Sequence, residues 1–520
     1  MTSTTQRSDQ QATVGAGAPR GRRTDSPWGL VAVLVALLLV VMVAAEMIGV
    51  RSQAIFVEAL RVATGPSAAV YALVAIGLNM HFGYTGLLNF GQVGFMLVGA
   101  YGIAIGVAIL GWSLWPALLL SVLFAVALAL LLGIPTLRLR ADYLAITTIA
   151  AAEILRFVFR VRQARPVTGG VRGLFGFTGD FYRVNPIPTG EYAVALTQRT
   201  LWVLLLAALA AAVLVLASRM AGAWWARAVQ PQRAWGALAG TLVGLWLGAG
   251  LTVLNPIPAG RYRLLVTTTH ARIWGLVVAA LIAGALAALA RGHGRRGLTE
   301  RRQSLAGAAA VGVAAAAVLA PAFYAVNPFP DDYLFALLRF SERRLWVVLV
   351  GWSLVALACL FVWALMRSPW GRVVKSIRED EDAARSLGKN VFSYKMQSLV
   401  IGGVMGAIGG ALLALTIQTV QPDTFLPQLT FFAYTVLILG GAARILGPVV
   451  GSVVFWFIVA GVDGFLRRAA AVGALPEQYF HAGSIGAVRF AFVGVGLMLL
   501  MIYRPQGLLG DRREMQLDVQ

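Results

Sequence analysis

Runs of roughly 20 apolar residues recur from Trp28 to Tyr503 with only short polar interruptions, and that spacing leaves few folds open. A helix of about 20 residues crosses the ~30 Å hydrocarbon layer, and it satisfies its own backbone N–H and C=O groups while doing so. Fourteen spans are predicted, near residues 29–49, 66–80, 93–111, 114–134, 142–160, 201–218, 235–254, 273–290, 304–324, 345–366, 397–417, 429–441, 447–463 and 486–503. The expected fold class is therefore an all-α polytopic membrane protein. With 59% hydrophobic residues and a mean hydropathy of +0.77, no water-soluble class fits.

The formal net charge of +21 would point to nucleic acid in a soluble protein. Here the arginines sit in short loops between spans, where they orient the chain across the membrane, so nucleic acid is not an expected partner. An even number of spans puts both termini on one side. Arg20, Arg22, Arg23, Arg504, Arg512 and Arg513 assign that side to the cytoplasm, and hence the chain to the cell membrane. Residues 1–27, rich in Ser, Thr, Gln and Gly, read as a disordered cytoplasmic tail, and residues 504–520 as a second cytoplasmic tail. The apolar run from Trp28 to Ala45 exceeds a signal-peptide core, which favours an uncleaved first span. The single Cys359 rules out an internal disulfide and any multi-cysteine metal site; no metal or cofactor is expected.

An internal repeat checks this topology. NPIPTG at Asn185, NPIPAG at Asn255 and NPFPDD at Asn327 stand 70 and 72 residues apart, and each precedes a Trp-led apolar run at Trp202, Trp274 or Trp346. Each unit adds one span down and one back, so residues 184–326 read as hairpins inserted into a ten-span core. Residues 28–183 and 327–503 supply the halves of that core. The two prolines of each motif favour an extended turn at the outer interface. Arg160, Arg162, Arg165 and Arg172 fit the scheme poorly, because it places them outside with no acid nearby.

Loop 367–396 holds the densest charge, with six acids and bases between Arg378 and Gly388. One short helix is predicted there. Glu379, Asp380, Glu381 and Asp382 fall in its first turns, Arg385 towards its end, and Gly388 at its C-terminal stop. Ala383, Ala384 and Leu387 are spaced to share one narrow apolar face that could seat in another protein's groove. A plain solvated surface helix is the alternative.

This segment, from Ser368 to Ala414, resembles the cytoplasmic coupling loop of branched-chain amino-acid ABC importer permeases of the LivM type. Its DAARSLG is similar to the EAA-x3-G signature of importer permeases, with Asp382 where Glu is usual. Residues 77–105, 138–157 with 168–174, 439–455 and 503–510 resemble further family blocks, in the family's order. The tripled NPxP unit departs from the family, where one copy is expected. The resemblance implies a second permease subunit, two cytoplasmic ATP-binding-cassette ATPases, an extracytoplasmic substrate-binding protein and surrounding membrane lipid. It implies that ATPase closure moves the coupling helix and reorients the attached spans. Urea or short-chain amides are alternative substrates for a permease of this type.

Other motifs carry two readings each. In HFGYTGLLNFGQVG, four glycines and the polar Thr85, Asn89 and Gln92 interrupt an apolar segment. Gly83, Thr85, Gly86, Asn89 and Gln92 either line a translocation path through a broken helix or pack helices closely; His81 reads as a packed histidine. Glu153 lies inside a span, either paired with Arg156 three residues on or facing a passing substrate. Thr168, Gly169 and Gly170 form either a landing surface for a binding protein or a plain turn.

No Walker A loop is present. The only Gly-Lys pair, Gly388-Lys389, is followed by Asn390 and preceded by Ala383 at the required glycine position. The chain is not expected to be an enzyme. A polytopic membrane enzyme, such as a lipid-linked sugar transferase, would need clustered outer acids, and only Asp331 and Asp332 resemble that.

Overall fold

The computed structural model describes residues 46–49, 52–137, 141–187, 189–197, 263–264, 334–476, 483–503 and 506–510. Its helices are α1 (Ser52–Ala63), α2 (Pro66–Leu78), α3 (Gln92–Ala104), α4 (Leu114–Thr136), α5 (Ala141–Arg160), α6 (Arg165–Thr168), α7 (Gly179–Arg183), α8 (Glu342–Arg367), α9 (Pro369–Glu379), α10 (Glu381–Ser386), α11 (Val391–Ile417), α12 (Gln428–Gly440), α13 (Gly447–Ala471) and α14 (Ile485–Tyr503). A π-helix, Asn79–Thr85, continues α2, and a second, Ile105–Ile109, continues α3. Among the described residues, seven helical segments are long and apolar enough to cross a membrane: Pro66–Thr85, Gln92–Ile109, α4, α8, α11, Pro422–Gly440 and α13. They coincide with seven predicted spans, and α5 and α14 occupy two more. The predicted spans at 201–218, 235–254, 273–290 and 304–324, and nearly all of 29–49, lie outside the described residues.

Burial sorts these helices into centre and rim. Pro66–Thr85 is 94% buried and Gln92–Ile109 83% buried, whereas α4 and α8 are each only 33% buried. The free faces of α4 and α8 carry Leu119, Leu123, Leu131, Leu357, Leu360 and Phe361, all exposed. Such faces suit acyl chains. At the centre, α2, α3 and α11 meet without side chains between them: a Cβ on Gly99 would fall on the Ala407 backbone, one on Gly410 on the Met96 backbone, and one on Gly77 on the Gly402 carbonyl. Small residues let backbones approach in lipid, where contact between helices, and not water exclusion, drives association.

The helix directions define two ends. α8 runs directly into α9 and α10, so the C-terminal end of α8 and the N-terminal end of α11 lie together at one of them, the coupling-loop end. The 506–510 segment returns to that end, where Leu508 and Leu509 N–H groups donate to the carbonyls of Leu439 and Gly440 at 2.9 and 3.0 Å. At the far end, Trp346 Nε1 donates to the Phe181 carbonyl at 3.0 Å, and the Tyr182 hydroxyl donates to the Leu415 carbonyl at 3.1 Å.

Two features revise the all-α expectation to a mostly helical one. β1 (Leu174–Phe175) pairs antiparallel with β5 (Thr419–Val420), placing Leu174 opposite Val420. A second sheet joins the repeats: β2 (Glu191–Thr197), β3 (Arg263–Leu264) and β4 (Leu334–Ser341) come after the first, second and third NPxP motifs, in the order β3-β2-β4. β2 runs parallel to β3, with Tyr192 opposite Arg263, and antiparallel to β4, with Glu191 opposite Ser341. The first motif makes the expected turn, because the Asn185 side-chain oxygen accepts the Ile187 N–H at 3.0 Å.

The α1 helix had no counterpart among the predicted spans. At 12 residues it is too short to cross, and it packs on α13 through buried Ile55, Ala59 and Ala63.

Candidate functional site

The charged loop folds as two helices, not one. Ser368 and Pro369 start α9 immediately after α8, a turn in which any Cβ on Gly371 would meet the Met366 backbone. Its inner face presents Gly371, Val374 and Ile377, all buried. At Asp380 the backbone swings to φ −151° and ψ 108°, and the Asp380 carboxylate accepts the Ala383 N–H at 2.9 Å, capping α10. An acid in the predicted first turn thus becomes the N-cap of a second helix, where it offsets an orphan donor worth about 1 kcal/mol. Gly388 ends α10 at φ 74° as predicted for a stop residue; its N–H reaches the Arg385 carbonyl at 2.9 Å and the Lys389 N–H the Ala384 carbonyl at 3.2 Å.

The expected apolar ridge is likewise split. Ala384 turns inward, 2% exposed, against Ile377 and Val391. Ala383 and Leu387 turn outward, Leu387 with 78% of its surface exposed. Around them Glu379 is exposed and the Asp382 side chain is 92% exposed, while Glu381 is held between Lys395 at 2.5 Å and Arg385 at 3.0 Å. The exposed surface of this element therefore includes Glu379, Asp382, Ala383, Leu387 and the bare Gly388 turn.

Arg378 joins this surface to the bundle. Its Nη1 donates to the Gly83 carbonyl in the π-helix, and its stem lies over Gly86, a left-handed residue at φ 76°. Gly83 needs to be glycine, because a Cβ would fall on the Asn79 side-chain oxygen and against the Ala443 nitrogen. The Asn79 carboxamide bridges to the loop between α12 and α13: its Nδ2 donates to the Arg444 carbonyl at 2.9 Å, and its oxygen accepts the Ala443 N–H at 2.8 Å. One π-turn thus contacts α9 on one side and the α12–α13 loop on the other. π-turns insert a residue into the helical ladder and concentrate at functional positions.

The other polar candidates of this stretch form a closed network. Thr85, Asn89 and Gln92 are 2%, 0% and 0% exposed. His81 Nε2 lies 3.1 Å from the Leu399 carbonyl, which can only accept, so Nε2 carries the proton and Nδ1 accepts from Asn89 Nδ2 at 3.1 Å. Asn89 Nδ2 also donates to Gln92 Oε1 at 3.1 Å, and Gln92 Nε2 donates to the Gly402 carbonyl at 3.0 Å. The Thr85 and Ser398 hydroxyls meet at 2.6 Å, and both lie within 3.0 Å of the Met80 carbonyl. These atoms bond one another and the backbone. Gly402 and Gly406 provide the room: a Cβ on either would meet His81 or Gln92.

Glu153 is paired. Arg156, its side chain 10% exposed, binds Glu153 Oε2 at 2.7 Å and Asp423 Oδ1 at 2.9 Å, and Arg160 reaches Asp423 at 3.4 Å. Asp423 is the acid that the sequence reading lacked for this basic end, and it comes from 267 residues away. The Thr168-Gly169-Gly170 segment is a fixed turn. Thr168 is buried and donates to the Phe159 carbonyl at 2.8 Å; Gly169 and Gly170 sit at φ 73° and 60°, and a Cβ on Gly169 would strike Gly173. The exposed neighbours are Val167 and Val171.

Comparison with known proteins bears on this arrangement. The family model described as the branched-chain amino acid transport system / permease component matches residues 62–241 and 208–500. The chain belongs to this permease family. Among curated relatives, the high-affinity branched-chain amino acid permease proteins LivM of Escherichia coli and Salmonella typhimurium are 23% and 24% identical over 440 residues, 85% of this chain and 68% of theirs. A probable LivM of Methanocaldococcus jannaschii is 24% identical over 176 residues, 33% of this chain and 49% of the relative, so the chain spans about half the length of that protein. No solved structure matches. The family is one of transport permeases, and the multi-pass helical bundle with its apolar rim accords with that membership.

Proposed function

We propose that the chain is a membrane-spanning subunit of an ATP-driven importer for branched-chain or related neutral amino acids. The observation that carries this reading is the α9–α10 element: an exposed Leu387 knob on a capped short helix, tied by Arg378 to a π-turn of the span that is most buried among the described residues. Such an element has a contact surface and a rigid connection inward, the two things needed to pass movement from a separate motor protein.

The motor is a pair of ATPase subunits on the cytoplasmic side, and the coupling-loop end therefore faces the cytoplasm. A second permease subunit completes the pathway, and an extracytoplasmic binding protein delivers substrate to the far end. ATPase closure displaces α9 and α10, the Arg378 tie carries that displacement to the π-helix, and Asn79 passes it to the loop before α13. The spans then reorient as packed bodies around the substrate. Residues 184–326 are an insertion whose base is tied to the core by the β2–β4 pairing.

The reading is tested by reconstituting the chain with its ATPases and binding protein in liposomes and measuring leucine uptake. Ala383→Arg or Leu387→Asp is expected to abolish uptake and its stimulation of ATP hydrolysis while membrane insertion is retained. Gly388→Val, which forces a β-branched residue to φ 74°, is expected to do the same. Normal transport in all three variants refutes the assignment.

A further inference from the structure

A cleft of about 390 Å³ opens at the far end of the bundle, among the first turns of α2 and α8, Tyr182 and the last turn of α11. That volume falls within the range of small-solute sites. Arg343 and Arg344 both line it. Among the described residues, neither guanidinium has a carboxylate within ion-pair distance; at this end Arg156, Arg160 and Arg183 are paired, whereas the exposed Arg162, Arg165 and Arg172 are not, and none of these lines the cleft.

The lining carries both signs. Arg343 and Arg344 belong to the first turn of α8 and Pro66 and Ser67 to that of α2, both positive helix ends, and Thr416 and Gln418 belong to the C-terminal turn of α11, whose carbonyls form its negative end. Gln418 stands there in a left-handed conformation at φ 61°. Its Nε2 is committed to the Tyr182 hydroxyl at 3.3 Å, which leaves the side-chain oxygen to accept a proton donor. Tyr182 is fixed in turn by its bond to the Leu415 carbonyl, and the Arg343 guanidinium lies 5.4 Å from its ring centroid. Pro66 and Val347 add apolar lining.

We infer that this cleft is a binding site for a free zwitterionic amino acid with an apolar side chain. The carboxylate is held by Arg343 and Arg344, the ammonium by Gln418 and the α11 carbonyls, and the side chain rests on Pro66 and Val347. The inference rests on the permease reading, within which the cleft receives substrate on its way from the delivery protein to the membrane interior. Guanidinium groups match a planar carboxylate geometrically, and a uniformly basic pocket would instead select anions without regard to an amino group.

The test uses the purified permease–ATPase complex without its binding protein and reads its thermal midpoint against added L-leucine, L-leucinamide and inorganic phosphate. Ligand bound only to the folded state raises the midpoint by mass action. L-Leucine is expected to raise it, and the amide and phosphate are not. Arg343→Gln with Arg344→Gln is expected to weaken the leucine response by about tenfold or more, the double Lys variant to recover part of it, and Arg183→Gln, outside the cleft, to leave it intact. An equal response to leucinamide or phosphate, or an unchanged response in the double Gln variant, overturns the site. An unchanged leucine response combined with a raised requirement for binding protein in uptake also overturns it, by assigning the arginines to a carboxylate on that protein. Uptake of labelled leucine by the complete wild-type system tests the permease reading separately.

Discussion

Arg378 and Gly83 are 295 positions apart in the chain, yet a 2.5 Å hydrogen bond from guanidinium to carbonyl joins them. The bond crosses from the exposed coupling element to the π-turn of a central span. A hydrogen bond with a charged donor contributes about 1.5–3 kcal/mol. Arg378→Gln is therefore expected to lower the thermal midpoint of the complex and, at temperatures where the variant stays folded, to reduce ATP-dependent uptake by roughly tenfold to a hundredfold beyond the loss of folded protein, with Arg378→Lys intermediate in both. Equal loss of uptake and stability assigns Arg378 to folding alone.

Asp380 separates the two helices of that element by capping the second. Asp380→Ala is expected to cost α10 about 1 kcal/mol. Hydrogen exchange of the amides from Ala383 to Leu387 is the measurement. Their protection falls by about fivefold or more, and that of α9 is retained. If α9 and α10 lose protection together, they form a single cooperative unit.

Gly83 and Asn79 share one small volume. Gly83→Ala is expected to destabilise the folded chain by about 1–3 kcal/mol through overpacking, read as a lower unfolding midpoint. With Asn79→Ala the combined loss should be smaller than the sum, because the shortened side chain frees the space that the methyl needs. Strict additivity argues that the clash lies elsewhere.

Arg156 distinguishes an ion pair from a substrate site at Glu153. Either Glu153→Gln or Asp423→Asn leaves the guanidinium one carboxylate, and each alone is expected to cost about 1 kcal/mol or less. Together they leave a largely buried charge unpaired, with an expected loss of about 3–5 kcal/mol. The KM for uptake should be the same in the single variants as in wild type. A KM raised specifically by Glu153→Gln would instead place Glu153 against the substrate.

What could be read from the sequence depended on the range of the interactions involved. The spans were legible because about 20 apolar residues cross a membrane whatever their neighbours, and Gly388 was legible because a left-handed stop is a local requirement. The break at Asp380 was not, since an acid before Ala383 serves equally as a first-turn residue or as an N-cap. Ala384 was placed on the outer ridge with Leu387, whereas contact with Ile377 and Val391 turns it inward. Nothing local distinguishes the two alanines. The Asp423 partner of Arg156 and the clamp of Asn79 on Arg444 depend on contacts hundreds of residues apart, beyond any local pattern. The strands after the NPxP motifs were missed because a Pro-rich turn marks a change of chain direction and carries no signal for the element on its far side.

Direct backbone contact between α3 and α11, at Gly99 with Ala407 and Gly410 with Met96, has a mechanical corollary. Two rods that touch along bare glycines cannot slip lengthwise past each other, since any such displacement drives a neighbouring methyl into the gap. Piston motion is barred, and a tilt of both rods together is what the seam permits.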